Sequence, residues 1–216
     1  MFEFIGVKYK EILDIPQLNI NKGITVFLGA SGSGKTTLLR MLNKMISPTD
    51  GCILYDGKDL KKLGSVEHRR NVMMLSQAPA MFEGTIRDNL TIAYRFQEKE
   101  IPGDLELTRI LAKVQLNKEL DASVDQLSGG EKQRLALGRL LLCNPAVYIL
   151  DEPSSALDDE TEDTIIKMVA EHVDSTNKSV IMVTHSKSVA EKYADEIVEM
   201  TNGKVKNRRT INERNH

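Results

Sequence analysis

One stretch constrains this chain more than any other. Gly29-Ala30-Ser31-Gly32-Ser33-Gly34-Lys35-Thr36 fits the pattern G-x-x-x-x-G-K-[ST] at every defined position. The apolar run Ile24-Thr25-Val26-Phe27-Leu28 before it reads as a buried strand. Thr36-Thr37-Leu38-Leu39-Arg40-Met41-Leu42 after it reads as a helix. Glycines let the backbone wrap closely around phosphate oxygens with its N–H groups pointing inward, and the helix start adds unpaired donors and its dipole. Gly29 to Thr37 are therefore the expected nucleotide-binding residues. Lys35 supplies a point charge to the β- and γ-phosphates, and Thr36 supplies a hydroxyl to Mg²⁺. A chain built around this loop binds a nucleoside triphosphate.

The 216 residues are enough for one α/β domain carrying a small subdomain. A net charge of −2 gives no reason to expect nucleic acid or an anionic membrane as partner. No apolar run approaches the ~18 residues that span a bilayer. The start, Met1-Phe2-Glu3-Phe4-Ile5, carries an early acid and too short an apolar stretch for a signal peptide. Cys52 and Cys143 stand apart, without metal-ligand or redox spacing, and read as ordinary reduced thiols. A soluble cytoplasmic protein is expected.

Strands are expected over 2–9, about 15–20 and 24–28, and at Cys52-Ile53-Leu54-Tyr55 before an Asp56-Gly57 turn. Val72-Met73-Met74-Leu75 is another, ending at Ser76-Gln77-Ala78-Pro79. From 85 to about 116 the period becomes helical, with Leu107, Ile110, Leu111 and Val114 on one face. Strands follow at 147–150, 179–184 and 197–200, the last with an Asn202-Gly203 turn, and helices at about 159–173 and 186–193. Near-continuous apolar strands alternating with helices argue for a mostly parallel sheet covered on both faces. The tail from Gly203, with Lys204, Lys206, Arg208, Arg209 and Arg214, is expected to be frayed and solvated.

A phosphate loop does not by itself separate kinases, GTPases and motor ATPases. Asp151-Glu152 narrows the choice, because two acids follow an apolar strand at its carboxyl end, where ligands sit in open α/β sheets. Buried carboxylates are costly unless a cation meets them. Asp151 would hold Mg²⁺ and Glu152 would orient the attacking water, while Asp158 caps the next helix. Ser128-Gly129-Gly130-Glu131 is a capping box opening a helix that Asn144-Pro145 ends. Glycines in a first helical turn cost up to ~1 kcal/mol each relative to Ala. They mark either a plain cap with loose glycines or a second anion site, and local chemistry supports the two equally.

The order of these motifs resembles the ATP-binding-cassette (ABC) ATPases over nearly the whole chain. The series runs through Gly29 to Thr36, Gln77, Leu127-Ser128-Gly129-Gly130-Glu131, Asp151-Glu152 and His185. The resemblance implies a P-loop NTPase of the α/β class, with a mostly parallel core sheet, N-terminal antiparallel strands and a small helical subdomain. Within one domain over 1–216, the core would comprise 1–77 and 145–205, the helical subdomain about 78–144, and the frayed tail 206–216. Leu127 to Glu131 would be the signature that meets the partner subunit's ATP, with glutamate where the family favours glutamine. Ser155, Ala156, Leu157 and Asp158 would form a dimer-contact loop. Tyr9 would stack on adenine, the loosest match of the set. Glu152, His185, Lys35 and Gln77 would be the catalytic group, and Thr36, Gln77 and Asp151 the Mg²⁺ site.

The resemblance further implies an ATP-dependent head-to-tail homodimer driving a separate integral-membrane permease, whose helices rest near Gln77, beside Met73, Met74 and Met81. The cassette would then lie peripherally on the inner face of the cell membrane. The compact chain is also similar to cassettes of putative metal (iron) exporters. The alternative is a soluble cassette ATPase of iron–sulfur cluster assembly. Repair-type members need a long coiled coil between Gln77 and Ser128, which this chain lacks. A small-molecule kinase leaves Ser128-Gly129-Gly130-Glu131 and His185 unexplained.

Overall fold

The computed structural model describes residues 1–154 and 158–211. Among the described residues ten strands fall into two sheets. β1 (Phe2–Tyr9), β2 (Leu13–Ile20), β4 (Asp50–Tyr55) and β5 (Lys58–Asp59) make an antiparallel sheet in the order β2-β1-β4-β5. β3 (Ile24–Leu28), β6 (Val72–Leu75), β7 (Val147–Asp151), β8 (Ser179–Val183), β9 (Glu196–Thr201) and β10 (Lys204–Thr210) make the second, ordered β10-β9-β3-β8-β7-β6. It is parallel throughout except for β10 at its edge.

The alternation of side chains along each parallel strand divides the interior into two cores. Val26 and Leu28, Tyr148 and Leu150, and Val180 and Met182 face one way, toward the helices that follow residue 86. Phe27, Val147, Ile149, Ile181 and Val183 face the other, against the antiparallel sheet and α1 (Lys35–Leu42). Both faces being covered, these strands are apolar without a break, as expected of parallel sheets. α1 sits between the sheets with Leu38, Leu39, Met41 and Leu42 fully buried, each contributing about 1.5–3 kcal/mol.

The helical part contains α3 (Ile86–Phe96), α4 (Asp104–Lys113) and α5 (Gly129–Cys143), while the shorter α2 (Ser65–Asn71) precedes β6. The helical period expected over 85–116 is interrupted at 97–103: α3 ends with Gln97 as its C-cap before Glu98 turns left-handed (φ 52°), and Gly103 caps the start of α4. Arg87 ties the two together through Asp104 and, at 3.0 Å, Asp121. Arg139 of α5 donates to the Asn89 carbonyl at 2.8 Å and to that of Ala80 at 3.0 Å, which fastens the segment after Gln77 onto α5. Two further helices complete the chain, α6 (Asp159–Thr176) and α7 (Lys187–Tyr193).

The tail expected to fray from Gly203 is corrected over 204–210, while 212–216, with Arg214, lie outside the described residues. Residues 204–210 are β10, turned back on β9 through Asn202 (φ 48°) and Gly203 (φ 76°), the geometry of a tight hairpin. Three of its basic side chains have acidic partners within the chain: Arg208 pairs with Glu196, Arg209 with Glu191 at 2.9 Å and Lys204 with Asp14 at 3.5 Å. The charge pattern alone gave no hint of these partners, which lie on β2, α7 and β9. Among the described residues, no helix is long and apolar enough to cross a membrane.

Candidate functional site: a phosphate loop facing a clasped glutamate

The loop between β3 and α1 has the conformation its glycines allow. Gly34 caps α1 with φ 95°, and a Cβ there would come within 2.5 Å of Leu13. Only glycine fits both the left-handed backbone and the close packing. Lys35 is buried, and its Nζ donates to the carbonyls of Gly29 at 2.7 Å and Ala30 at 2.9 Å, with the Ser33 hydroxyl at 3.4 Å. Burial lowers its pKa, opposed by the nearby charges of Glu152 and Asp151. The ammonium thus lies curled into its own loop.

Opposite the loop, the Thr36 hydroxyl donates to Oδ1 of Asp151 at 3.0 Å. Asp151 ends β7, is 4% exposed, and has its pKa raised by burial first and by Glu152 as well, against the lowering effect of Thr36. The Thr36 hydroxyl at the cleft and the buried Asp151 carboxylate bonded to it are hard oxygen donors of the kind Mg²⁺ uses together with substrate phosphates, so the residues fit that ion.

Glu152 follows with φ 50°, a left-handed conformation uncommon for a residue with a side chain and contrary to the extended backbone favoured before Pro153. Four polar contacts hold it. Its N–H donates to the Val183 carbonyl at 3.0 Å, and its own carbonyl accepts from Nε2 of Gln133 at 2.9 Å. Its carboxylate accepts from Nε2 of Gln77 at 2.7 Å on one oxygen and from Nε2 of His185 at 2.9 Å on the other. The imidazole must carry its proton on Nε2 to donate there. Glu152 therefore stands clasped between two groups 75 and 33 residues away in sequence.

A cleft of about 370 Å³ joins these parts, lined by Ile12, 31–37, Gln77 and Glu152. A second hollow of about 160 Å³ lies on the other side of Glu152, between His185, Ser154 and Glu162. Ile12, which the sequence did not single out, comes from the turn after β1. Tyr9 closes β1 and packs half-buried against the second core, and from this turn it is Ile12 that lines the cleft. Gln133 was also missed. It sits on α5 among apolar positions, and one buried amide in such a helix leaves no periodic signal.

Ser128 caps α5 with the full capping box: its hydroxyl accepts from the Glu131 N–H at 3.3 Å, and Glu131 accepts from the Ser128 N–H at 2.8 Å. Lys118 pairs with Glu131 at 3.2 Å, and together these contacts hold the Glu131 carboxyl below its usual range. Leu127 is buried, whereas Ser128 and Gly129 are exposed, with nothing within 4 Å of where a Gly129 Cβ would stand. The helix start is therefore open to solvent. Asp158 caps α6 by accepting from the Thr161 N–H at 2.9 Å. Ser155, Ala156 and Leu157 lie outside the described residues.

Comparison with known proteins agrees with this geometry. The STAR1 protein of Oryza sativa subsp. japonica is 37% identical over 198 residues, covering 91% of this chain and 57% of its own length. A putative hemin import ATP-binding protein, HrtA of Staphylococcus haemolyticus, is 34% identical over 211 residues and covered to 93% in both chains. The chain thus spans little more than half of one of these relatives and nearly all of the other. A dimeric ATP-binding cassette in a post-hydrolysis state, bound to ADP and Pi, superimposes with a TM-score of 0.86 at 24% identity, covering 99% of this chain and 100% of that one, and so shares the fold. The family model described as ABC transporter matches residues 13–155, a range that takes in the phosphate loop, α5 and Glu152. With the phosphate loop, Glu152 and the capped start of α5 in one fold with that match, the chain belongs to the ABC transporter family, as an ATP-binding and ATP-hydrolysing cassette.

Proposed function

We propose that two copies of this cassette close head to tail around two ATP molecules, each held between Lys35 of one copy and Ser128 of the other, and that hydrolysis drives a separate membrane permease. The clasp on Glu152 carries this reading, since it sets a carboxylate at the edge of a phosphate-sized cleft with its two oxygens oriented. The exposed glycine start of α5, which has no ligand to meet within its own subunit, supports the partner's share of each site.

On binding, the triphosphate replaces the loop carbonyls as the partner of Lys35. Thr36 and Asp151, with Gln77 beside them, would hold Mg²⁺, whose chemistry there is to neutralise charge on the β- and γ-phosphate oxygens. Glu152 orients a water and accepts its proton as the water oxygen bonds to the γ-phosphorus and the bond to the β–γ bridging oxygen breaks, leaving ADP and phosphate. His185 donates from Nε2 toward the charge that develops. Loss of phosphate removes what joins the two copies, and the dimer opens.

The permease would dock beside Gln77. Phe82 and Phe96 stand partly and largely exposed there with rings 6.1 Å apart, and Met81 lies half-buried next to them. Aromatic and methionine side chains suit a partner helix of varied shape. Docking places the cassette on the cytoplasmic face of the membrane. HrtA is named for import of hemin and STAR1 carries no cargo in its name, so the metal-exporter expectation is not carried forward. The cluster-assembly alternative is not favoured by relatives of this kind.

Affinity capture of the Glu152→Gln protein with ATP, from gently solubilised native cells, tests the proposal. An equal amount of a polytopic membrane protein, released by Phe82→Glu and Phe96→Glu while ATP binding persists, would support it. Recovery of soluble scaffold proteins alone would overturn it in favour of cluster assembly.

A further inference from the structure

Glu152 is held by its backbone as well as by its carboxylate, and the two sets of contacts come from different parts of the fold. Gln77 and His185 grip the carboxylate from exposed positions. The carbonyl is gripped by Gln133, which is 2% exposed and stands on α5 amid the buried Leu135, Ala136 and Leu137. Nε2 must face that carbonyl, because only the amide nitrogen can donate. Gln133 lies five residues beyond Ser128, about 7.5 Å along the same helix. The helix whose exposed start faces solvent thus carries, a turn and a half later, the donor that holds Glu152.

The backbone it holds is strained. A residue before proline at φ 50° relaxes toward extended geometry unless its neighbours prevent it. Such a rotation swings the side chain away from the cleft, since the carboxylate lies at the end of a lever whose pivot is the Glu152 Cα. We propose that Gln133 is a positioning residue for Glu152, coupling the set of the signature helix α5 to the water-attack geometry of its own subunit. A shift of α5 when Ser128 engages nucleotide moves the Gln133 amide, and with it the carbonyl and carboxylate of Glu152. This rests on the reading of Glu152 as the water-orienting base.

The test is ATP hydrolysis by the full chain carrying Gln133→Met, which keeps length and volume, or Gln133→Asn, which keeps the amide but withdraws it by one methylene. Each is placed in the native background and in Glu152→Gln, with residual rates read by single turnover of γ-labelled ATP. The expected result is kcat lowered about 10-fold by either variant with KM for ATP within about twofold, because only transition-state geometry is lost. In the Glu152→Gln background the same changes should alter the rate by less than about twofold, as for residues acting through one another.

Native kcat in both variants would overturn the proposal. So would KM changing with kcat, or an equal loss in the Glu152→Gln background, which marks a merely structural role. Near-normal turnover of Glu152→Gln alone would instead remove the base itself. An inactive Glu152→Gln beside a fully active Gln133→Met would remove only the coupling.

Discussion

The Thr36 hydroxyl donates to Oδ1 of Asp151 at 3.0 Å, joining the first turn of α1 to the last residue of β7. The bond stands where two oxygen donors would share a cation, and burial keeps the Asp151 carboxyl above its usual range meanwhile. Asp151→Asn keeps the shape and removes the charge. Hydrolysis with Mg²⁺ should fall about 10²-fold or more, since a metal ion at the phosphates supplies several kcal/mol of charge stabilisation. Affinity for metal-free ATP should stay level or rise, because a carboxylate no longer faces the phosphates. Titration of the variant with ATP, with and without Mg²⁺, checks both; an undiminished response to Mg²⁺ would remove Asp151 from the metal site.

Lys35 donates to the carbonyls of Gly29 and Ala30 at the mouth of the phosphate loop. Lys35→Ala should weaken triphosphate binding by at least about tenfold, or ~1.4 kcal/mol. Calorimetric titration reads this directly, and unchanged affinity would refute the role of the lysine.

Ser128 opens an exposed helix start with free space around Gly129. Ser128→Arg fills that space with a bulky cation and removes the cap hydroxyl, at about 1 kcal/mol of local stability. ATP-induced dimers of the Glu152→Gln protein, followed by light scattering, should disappear in the double variant while nucleotide binding to the monomer persists. Dimers that still form would place the second ATP contact elsewhere.

His172 of α6 accepts from the Lys113 ammonium at 2.9 Å through Nδ1 and meets the Tyr148 hydroxyl at 3.0 Å through Nε2, and Tyr148 bonds to Asn144. Lysine only donates, so the ring is neutral with its proton on Nε2. Burial, with the charges of Lys113 and Lys178, lowers its pKa to about 4 from an ordinary 6.5. Between those values the unfolded chain binds a proton that the folded one refuses. The contribution to stability is therefore complete above pH 6.5 and is lost as the pH falls toward 4. Allowing for the half-exposed ring, it amounts to about 1–2 kcal/mol. Thermal melts of the native chain and His172→Asn across this range should differ in slope, with the variant flatter. Parallel slopes would show that the imidazole titrates freely.

Residues that act through consecutive neighbours were legible before any coordinates. The phosphate loop, the apolar strands β3, β6, β7 and β8, the Asp151-Glu152 pair and the capping box at Ser128 all encode a backbone path or a cap within a few positions. Each matched its expected place because the requirement is local: a glycine for a left-handed turn, a hydroxyl for an orphaned N–H. The tail was misread for the converse reason. Lys204, Arg208 and Arg209 read as a solvated charge run until β2, α7 and β9 supply their acids.

From the chain order alone came the α/β class, the phosphate-loop backbone and the capped start of α5, because each follows from hydrogen-bond donors and apolar periods spaced along a continuous backbone. The grip of Gln133, Gln77 and His185 on Glu152 was decided only in three dimensions, as was the place of Ile12 at the cleft and the pairing of Thr36 with Asp151. These contacts join segments up to 115 residues apart. Their geometry depends on how two cores pack around one parallel sheet, and no local pattern of side chains specifies that packing.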